Sequence, residues 1–153
     1  MSIEIKRSAL LFYSAQQMFD LVNDVDAYPQ FVEHCTGAQV IEQGEDRMRA
    51  SLALQRAGIA IDFTTENSLV RPDDSMAPWR VDLQLVDGPF SLFRGWWLFT
   101  PLREGACKVS LYIEFKMNSA VASKLASGLF ESIANSLVDA FCRRAEQVYT
   151  ASR

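Results

Sequence analysis

The chain is poor in the groups around which most enzymes and metal proteins are built. It holds one histidine, His34, and three cysteines, Cys35, Cys107 and Cys142. The cysteines are odd in number and widely spaced, and no C-x-x-C occurs. That pattern argues against a disulfide scaffold or a structural zinc site and fits a reducing compartment. No G-x-G-x-x-G, no phosphate-binding loop and no calcium-loop spacing is present, which removes the common nucleotide and cation sites. No apolar run reaches the roughly 18 residues of a membrane span, and Met1–Lys6 lacks the apolar core of a signal peptide. We therefore expect no metal, no cofactor, a cytoplasmic location and at most a peripheral contact with the inner membrane. Basic charge is scarce too. The net charge is −4, whereas domains devoted to gripping phosphate backbones are usually basic.

What the chain has is apolar and aromatic mass. Hydrophobic residues make up 49% of it, with ten Phe, three Trp and four Tyr; rings serve equally well to fill a core or to line a cavity. Its 153 residues suit one domain, residues 1–153, with a sizeable core. Ile3–Leu11 reads as a strand. Ser14-Ala15-Gln16-Gln17 has capping-box form, and Met18, Phe19, Leu21 and Val22 give the helix that follows its apolar side. A second helical turn starts near Asp26 or Ala27, with Pro29 tolerated in its first turn. A meander comes next: strands over Ala38–Gln43, Met48–Gln55, Ile59–Val70, Trp79–Leu85, Leu92–Thr100 and Cys107–Lys116, punctuated by Gly44-Glu45-Asp46, Arg56-Ala57-Gly58, Asp87-Gly88-Pro89 and Pro101–Gly105. Strands joined by short turns pair antiparallel, and their apolar face needs a cover. The tail supplies it. Leu125, Leu129, Ile133, Leu137, Phe141, Ala145 and Val148 recur every three or four residues, with Val121, Phe130, Val138 and Tyr149 beside them. They make a wide stripe on a helix of roughly 30 residues, Ser119–Thr150, about 45 Å long. The expected class is α+β: about seven antiparallel strands, curved around a long C-terminal helix, with two short helices after the first strand.

Catalytic constellations are thin. His34 sits beside Cys35, and a Cys–His pair can serve as nucleophile and base. Adjacent residues in a strand point to opposite faces, however, and no Asn or Asp is placed to orient the imidazole, so we expect no catalytic residue here. The acidic neighbours Asp24 and Asp26, or Glu45 and Asp46, read as solvated turn residues. Lys6-Arg7, Arg47 with Arg49, and Arg143-Arg144 could form an RNA-binding patch if they converged. The ring-rich run Pro89–Phe99 has rings of both parities, with Phe93, Trp97 and Phe99 on one and Phe90 and Trp96 on the other. Either both faces are covered, or one lines a cavity and the other is left for a membrane or protein partner. A cavity between sheet and helix would be walled by Phe63, Leu83, Leu85, Trp97, Phe99, Val109, Leu111 and Ile113, facing Leu129, Ile133, Leu137 and Phe141. Phe31 and Phe90, in turns, would stand near its entrance.

The segments Tyr13–Val25, Tyr28-Pro29-Gln30-Phe31 and Cys35-Thr36-Gly37 resemble the opening of the coenzyme-Q-binding START-like family. Gly58-Ile59, Phe63–Asn67, Leu85–Phe90, Trp97–Leu102 and Phe141–Tyr149 continue the resemblance, in order, along nearly the whole chain. It implies the helix-grip (START/Bet v 1-like) fold of the polyketide cyclase/START superfamily and an apolar cavity. It implies first a non-enzymatic protein that binds an isoprenoid quinone (ubiquinone) or a similar apolar lipid in support of respiratory electron transport. The alternative it carries is a ribosome association toxin that binds the large ribosomal subunit and blocks subunit joining. A polyketide cyclase-like enzyme is the remaining reading. The chain departs from the family pattern at Glu33-His34, at Glu66, where a basic residue is common, and at Trp96, which adds a ring.

Overall fold

The computed structural model describes residues 2–74, 76–118 and 123–150. Strand β1 (Ile3–Leu11) leads into helix α1 (Ala15–Asn23) and a 3-10 helix over Val25–Gln30. Six strands follow: β2 (Cys35–Gln43), β3 (Arg47–Arg56), β4 (Ile59–Val70), β5 (Trp79–Asp87), β6 (Phe90–Arg103) and β7 (Ala106–Met117). Helix α2 (Ser123–Ala145) ends in a π-helical turn over Glu146–Thr150. The seven strands form one antiparallel sheet in the order β1-β7-β6-β5-β4-β3-β2. The expected α+β architecture, a curved sheet with a long C-terminal helix, is the observed one.

Local chemistry accounts for the element boundaries. Ser14 caps α1: its hydroxyl accepts from the Gln17 amide N–H at 3.0 Å, and the Gln17 side chain accepts from the Ser14 N–H at 2.8 Å. That reciprocal pair satisfies two donors that the first helical turn leaves open. The 3-10 helix begins one step earlier than expected, after Asp24, and Asp26 instead accepts a bond from the β2 backbone at Val40. Pro29 falls late in it, which a tight 3-10 segment permits because its missing N–H leaves only one bond unmade. Gly88 makes the β5–β6 turn with φ of +150°, and a Cβ there would lie 2.6 Å from that of Phe63.

Bulges bend the sheet and re-aim side chains. Register shifts occur between Phe90 and Leu92 and between Pro101 and Arg103. The first shift puts Phe90 on the same face as Phe93, although the two have opposite parity. Phe90 is thus the buried first residue of β6, not a turn residue at an entrance, and it packs on Phe63, Phe93 and Phe130. The second carries β6 through Pro101, where a turn was expected. On the outer face Trp96 stacks on Tyr112, with the Arg80 guanidinium over its ring.

The apolar side of α2 lies on the concave face. Ala126, Leu129, Phe130, Ile133, Ala134, Val138, Phe141 and Ala145 are buried there. Leu125 is 69% exposed and Val148 37% exposed, so the expected stripe is wrong at both ends. An i+4 ladder turns about 40° around the axis with each step, and the ladder that starts at Leu125 only reaches the sheet from Leu129 onward. Val148 falls in the π-helical turn, where the wider winding changes the register. Ser119–Ala122, where the helix was expected to begin, lie outside the described residues. Two clusters of rings pin the helix: Phe130 against Phe63, Phe90, Phe93 and Phe115, and Phe141 against Tyr28, Phe31 and Trp97. Each buried ring contributes about 1.5–3 kcal/mol of transfer free energy.

Two substitutions test this account. A Cβ at Gly95 would lie 2.5 Å from the Tyr112 carbonyl oxygen on β7, so Gly95→Ala should force the central strands apart and cost about 1–3 kcal/mol in denaturant unfolding. A midpoint equal to that of the parent chain would contradict the close approach. Ser14→Ala should cost about 1 kcal/mol through the lost cap, read the same way.

Candidate functional site

The space that α2 does not fill lies between its two ring clusters. Phe130 and Phe141 stand at its ends, about 16 Å apart along the helix at 1.5 Å per residue, and both line a cavity of about 80 Å³. Ile133, Ala134 and Leu137 wall it from the helix side. Ala50, Leu52 and Leu54 of β3, Phe63, Thr65 and Asn67 of β4, and Leu83 of β5 wall it from the sheet, with Phe93 and Trp97 of β6 and Ile113 of β7. Val25, Tyr28, Val32 and Cys35 close the remaining side from the 3-10 helix and the segment after it. The cavity exists because several wall positions carry short side chains, Ala50, Ala134, Cys35 and Thr65, opposite bulky rings. Its volume is far below the roughly 300–1,000 Å³ that encloses a drug-sized ligand.

Of the residues expected around a cavity, Phe63, Leu83, Trp97, Ile113, Ile133, Leu137 and Phe141 are brought to it. Phe99, Val109, Leu111 and Leu129 are fully packed elsewhere in the core, with Phe99 against Phe19 and Trp97. Leu85 is half-buried beside the core, and Phe90 belongs to the Phe130 cluster. Phe31 backs the Phe141 wall from outside, with the Arg144 guanidinium 5.1 Å over its ring. The β3 wall and the polar pair Thr65–Asn67 were missed. The signal for the pair was present: Ile61, Phe63, Thr65, Asn67 and Leu69 share one parity of β4, so two polar residues occupy the apolar face.

The polar groups of the cavity are mostly committed. The Tyr28 hydroxyl donates to the Val22 carbonyl, and burial holds its pKa well above the usual phenol value. The Cys35 thiol donates to the Gly37 carbonyl at 3.4 Å, and burial raises its pKa, which keeps it a neutral thiol and a poor nucleophile. Burial likewise pushes Cys107 up to about 11. Thr65 donates to Asn67 at 2.8 Å. His34 stands in the turn before β2 with φ of 65°, 3.3 Å from the Glu33 carboxylate, and does not line the cavity. Among the described residues no group of three or more His, Cys, Asp or Glu side chains could hold a metal ion, and no helix is long and apolar enough to cross a membrane.

Three of the arginines in the basic pairs meet carboxylates and a fourth meets an amide. Arg7 meets Asp139 of α2, Arg47 and Arg49 both meet Glu66, and Arg144 donates to Gln30. Glu66 therefore pairs with both arginines of β3 and offsets one of their two charges.

Comparison with known proteins agrees with this architecture. A family model described as polyketide cyclase / dehydrase and lipid transport matches residues 11–142. The chain is 47% identical over 146 residues to ribosome association toxin RatA of Vibrio cholerae, spanning 95% of this chain and 97% of that protein. It is 43% identical over 149 residues to ribosome association toxin RatA of Pseudomonas aeruginosa, spanning 97% and 99%. A coenzyme Q-binding protein COQ10 homolog B, mitochondrial, of Xenopus laevis is 28% identical over 151 residues, spanning 96% of this chain and 59% of that one. In fold, a START superfamily protein from Mycobacterium smegmatis superposes with a TM-score of 0.73 at 18% identity, spanning 95% of this chain and 98% of that one. With its sheet, grip helix and sheet–helix cavity in place, the chain belongs to the polyketide cyclase / dehydrase and lipid transport family.

Proposed function

We propose that the chain acts by association with the ribosome, binding the large subunit and hindering its joining to the small one, without catalysing a reaction. The observation that carries this reading is the near full-length identity of 47% and 43% to proteins named ribosome association toxin, spanning 97% and 99% of their lengths. The quinone reading, put first on sequence, rests on a relative at 28% identity of which the chain spans 59%. The size of the cavity also weighs against enclosing a prenylated quinone. The non-enzymatic reading is supported by the protonated, hydrogen-bonded thiol of Cys35 and by the place of His34 outside the cavity. A reducing cytoplasm, with at most a peripheral membrane contact, fits this assignment.

A second reading, compatible with the first, is that the cavity holds a small apolar molecule. Its support is the cavity itself, whose walls are chiefly aliphatic and aromatic side chains and suit apolar contact at about 0.8 kcal/mol per buried methylene.

Overproducing the chain should raise the level of free ribosomal subunits in sucrose gradients at the expense of joined ribosomes, and the purified chain should sediment with isolated large subunits. An unchanged profile together with no co-sedimentation would sink the ribosome reading. For the cavity, Ile133→Asn places an unpartnered amide in its wall at a cost of about 1–3 kcal/mol. The variant should keep its far-UV circular dichroism and bind an apolar probe such as isopropylbenzene at least tenfold more weakly. Undiminished binding by the folded variant would place the apolar site elsewhere.

A further inference from the structure

We propose that Asn67, held in place by Thr65, is a hydrogen-bond donor that selects, among apolar molecules entering the cavity, those bearing a carbonyl oxygen. This rests on the apolar-ligand reading above and specifies its ligand as an uncharged ketone, ester or quinone with a small ring.

Burying the Thr65–Asn67 pair is costly. Thr65 and Asn67 are 8% and 7% exposed, on the face of β4 otherwise given to Ile61, Phe63 and Leu69. Two polar groups in such a place destabilise a fold unless they are partnered. The Thr65 hydroxyl donates to Asn67 Oδ1 at 2.8 Å. That bond uses the hydroxyl hydrogen and fixes the amide, with its oxygen toward Thr65 and its nitrogen away. The two N–H groups of Asn67 make no hydrogen bond to any described residue. Neither are they sealed in, because the one fully enclosed side-chain polar atom without a partner among the described residues is Arg144 Nε. Asn67 lines the cavity, and with its oxygen engaged by Thr65 the amide nitrogen is the group left to meet a ligand there.

The other polar hydrogens of the wall leave a one-sided pattern. Tyr28 and Cys35 spend theirs on backbone carbonyls. The Trp97 indole N–H, like the Asn67 amide, has no hydrogen-bond partner among the described residues. The free polar hydrogens of the wall are thus those of Asn67 and Trp97, while the lone pairs left on Thr65 Oγ1, Asn67 Oδ1 and Tyr28 Oη belong to groups already engaged in a hydrogen bond. No cation or anion lines it, so a charged ligand would lose its hydration without a counter-charge. A carbonyl oxygen accepts without needing to donate, and it matches this wall. A saturated hydrocarbon of the same shape would leave the amide unsatisfied.

The test compares acetophenone with isopropylbenzene, which share a shape and a number of heavy atoms and differ in the carbonyl. Binding is followed by chemical-shift titration of the intact chain and by the carbonyl stretch of acetophenone in the infrared. The parent chain should prefer acetophenone by roughly 3- to 10-fold, the value of one net hydrogen bond, and should move its carbonyl stretch to lower wavenumber. The double variant Thr65→Val/Asn67→Leu removes both partners together, which leaves no orphaned group and favours retention of the fold. It should bind isopropylbenzene at least as well as the parent, lose the preference and leave the carbonyl stretch unshifted. Equal affinity for the two probes in the parent chain, or a preference that survives in the double variant, overturns the donor assignment while the cavity reading stands. Uptake of neither probe by the parent chain removes the cavity reading, and this proposal with it.

Discussion

The contact between the apolar side of α2 and the concave face of the sheet is the interaction on which the other features depend. Seven strands with one apolar face cannot leave that face to water, and one helix must cover it. Bulges curve the sheet enough for the helix to lie within the bend. Rings then do most of the filling, since Phe130 meets four rings of the sheet, and Phe141 meets Trp97 of the sheet with Tyr28 and Phe31 at the 3-10 helix. Rings are rigid and leave gaps wherever short side chains face them. The cavity between the two clusters follows from this mode of packing.

That origin bears on function. A wall of aliphatic groups, a neutral thiol and a committed phenol has no ready nucleophile or base, and the single histidine sits in a turn outside it. The same wall carries an amide whose oxygen is engaged and whose nitrogen is open. The features suit holding a small neutral molecule. Association with the ribosome, by contrast, draws its support from full-length identity, because three of the arginines in the basic pairs are engaged by Asp139 and Glu66. The two readings occupy different parts of the protein, its interior and its surface, and one chain can carry both.

Much of the fold was legible. The capping box at Ser14 and the strict alternation of Cys107–Lys116 each have a local cause, and each appears as read, while the proline-free tail is α-helical over Ser123–Ala145 and π-helical over Glu146–Thr150. The misses share a cause as well. The parity of Phe90 misled because a bulge inserts a residue, and a period of two cannot reveal an insertion. Leu125 misled because an i+4 ladder drifts around the helix, and periodicity alone does not say where the ladder meets the sheet. The cavity wall was half legible: residues of β6 and α2 were anticipated, while Ala50, Leu52 and Leu54 fall in a strand, Met48–Gln55, to which no part of the cavity was assigned.

The sequence by itself determined the elements, the antiparallel meander, the helix that covers it and the scarcity of catalytic groups, because periodicity, caps and turn residues act over a few neighbouring positions. Only the tertiary structure decided which apolar residues pack solid and which border open space. That depends on side chains distant in sequence, such as Ala50 and Ala134, which border the same cavity, and Phe63 and Phe130, whose rings meet across the bend. It also decided that Asn67 lines the cavity with no partner for its amide hydrogens among the described residues. Parity places a residue on a face, but the partner that satisfies it comes from geometry.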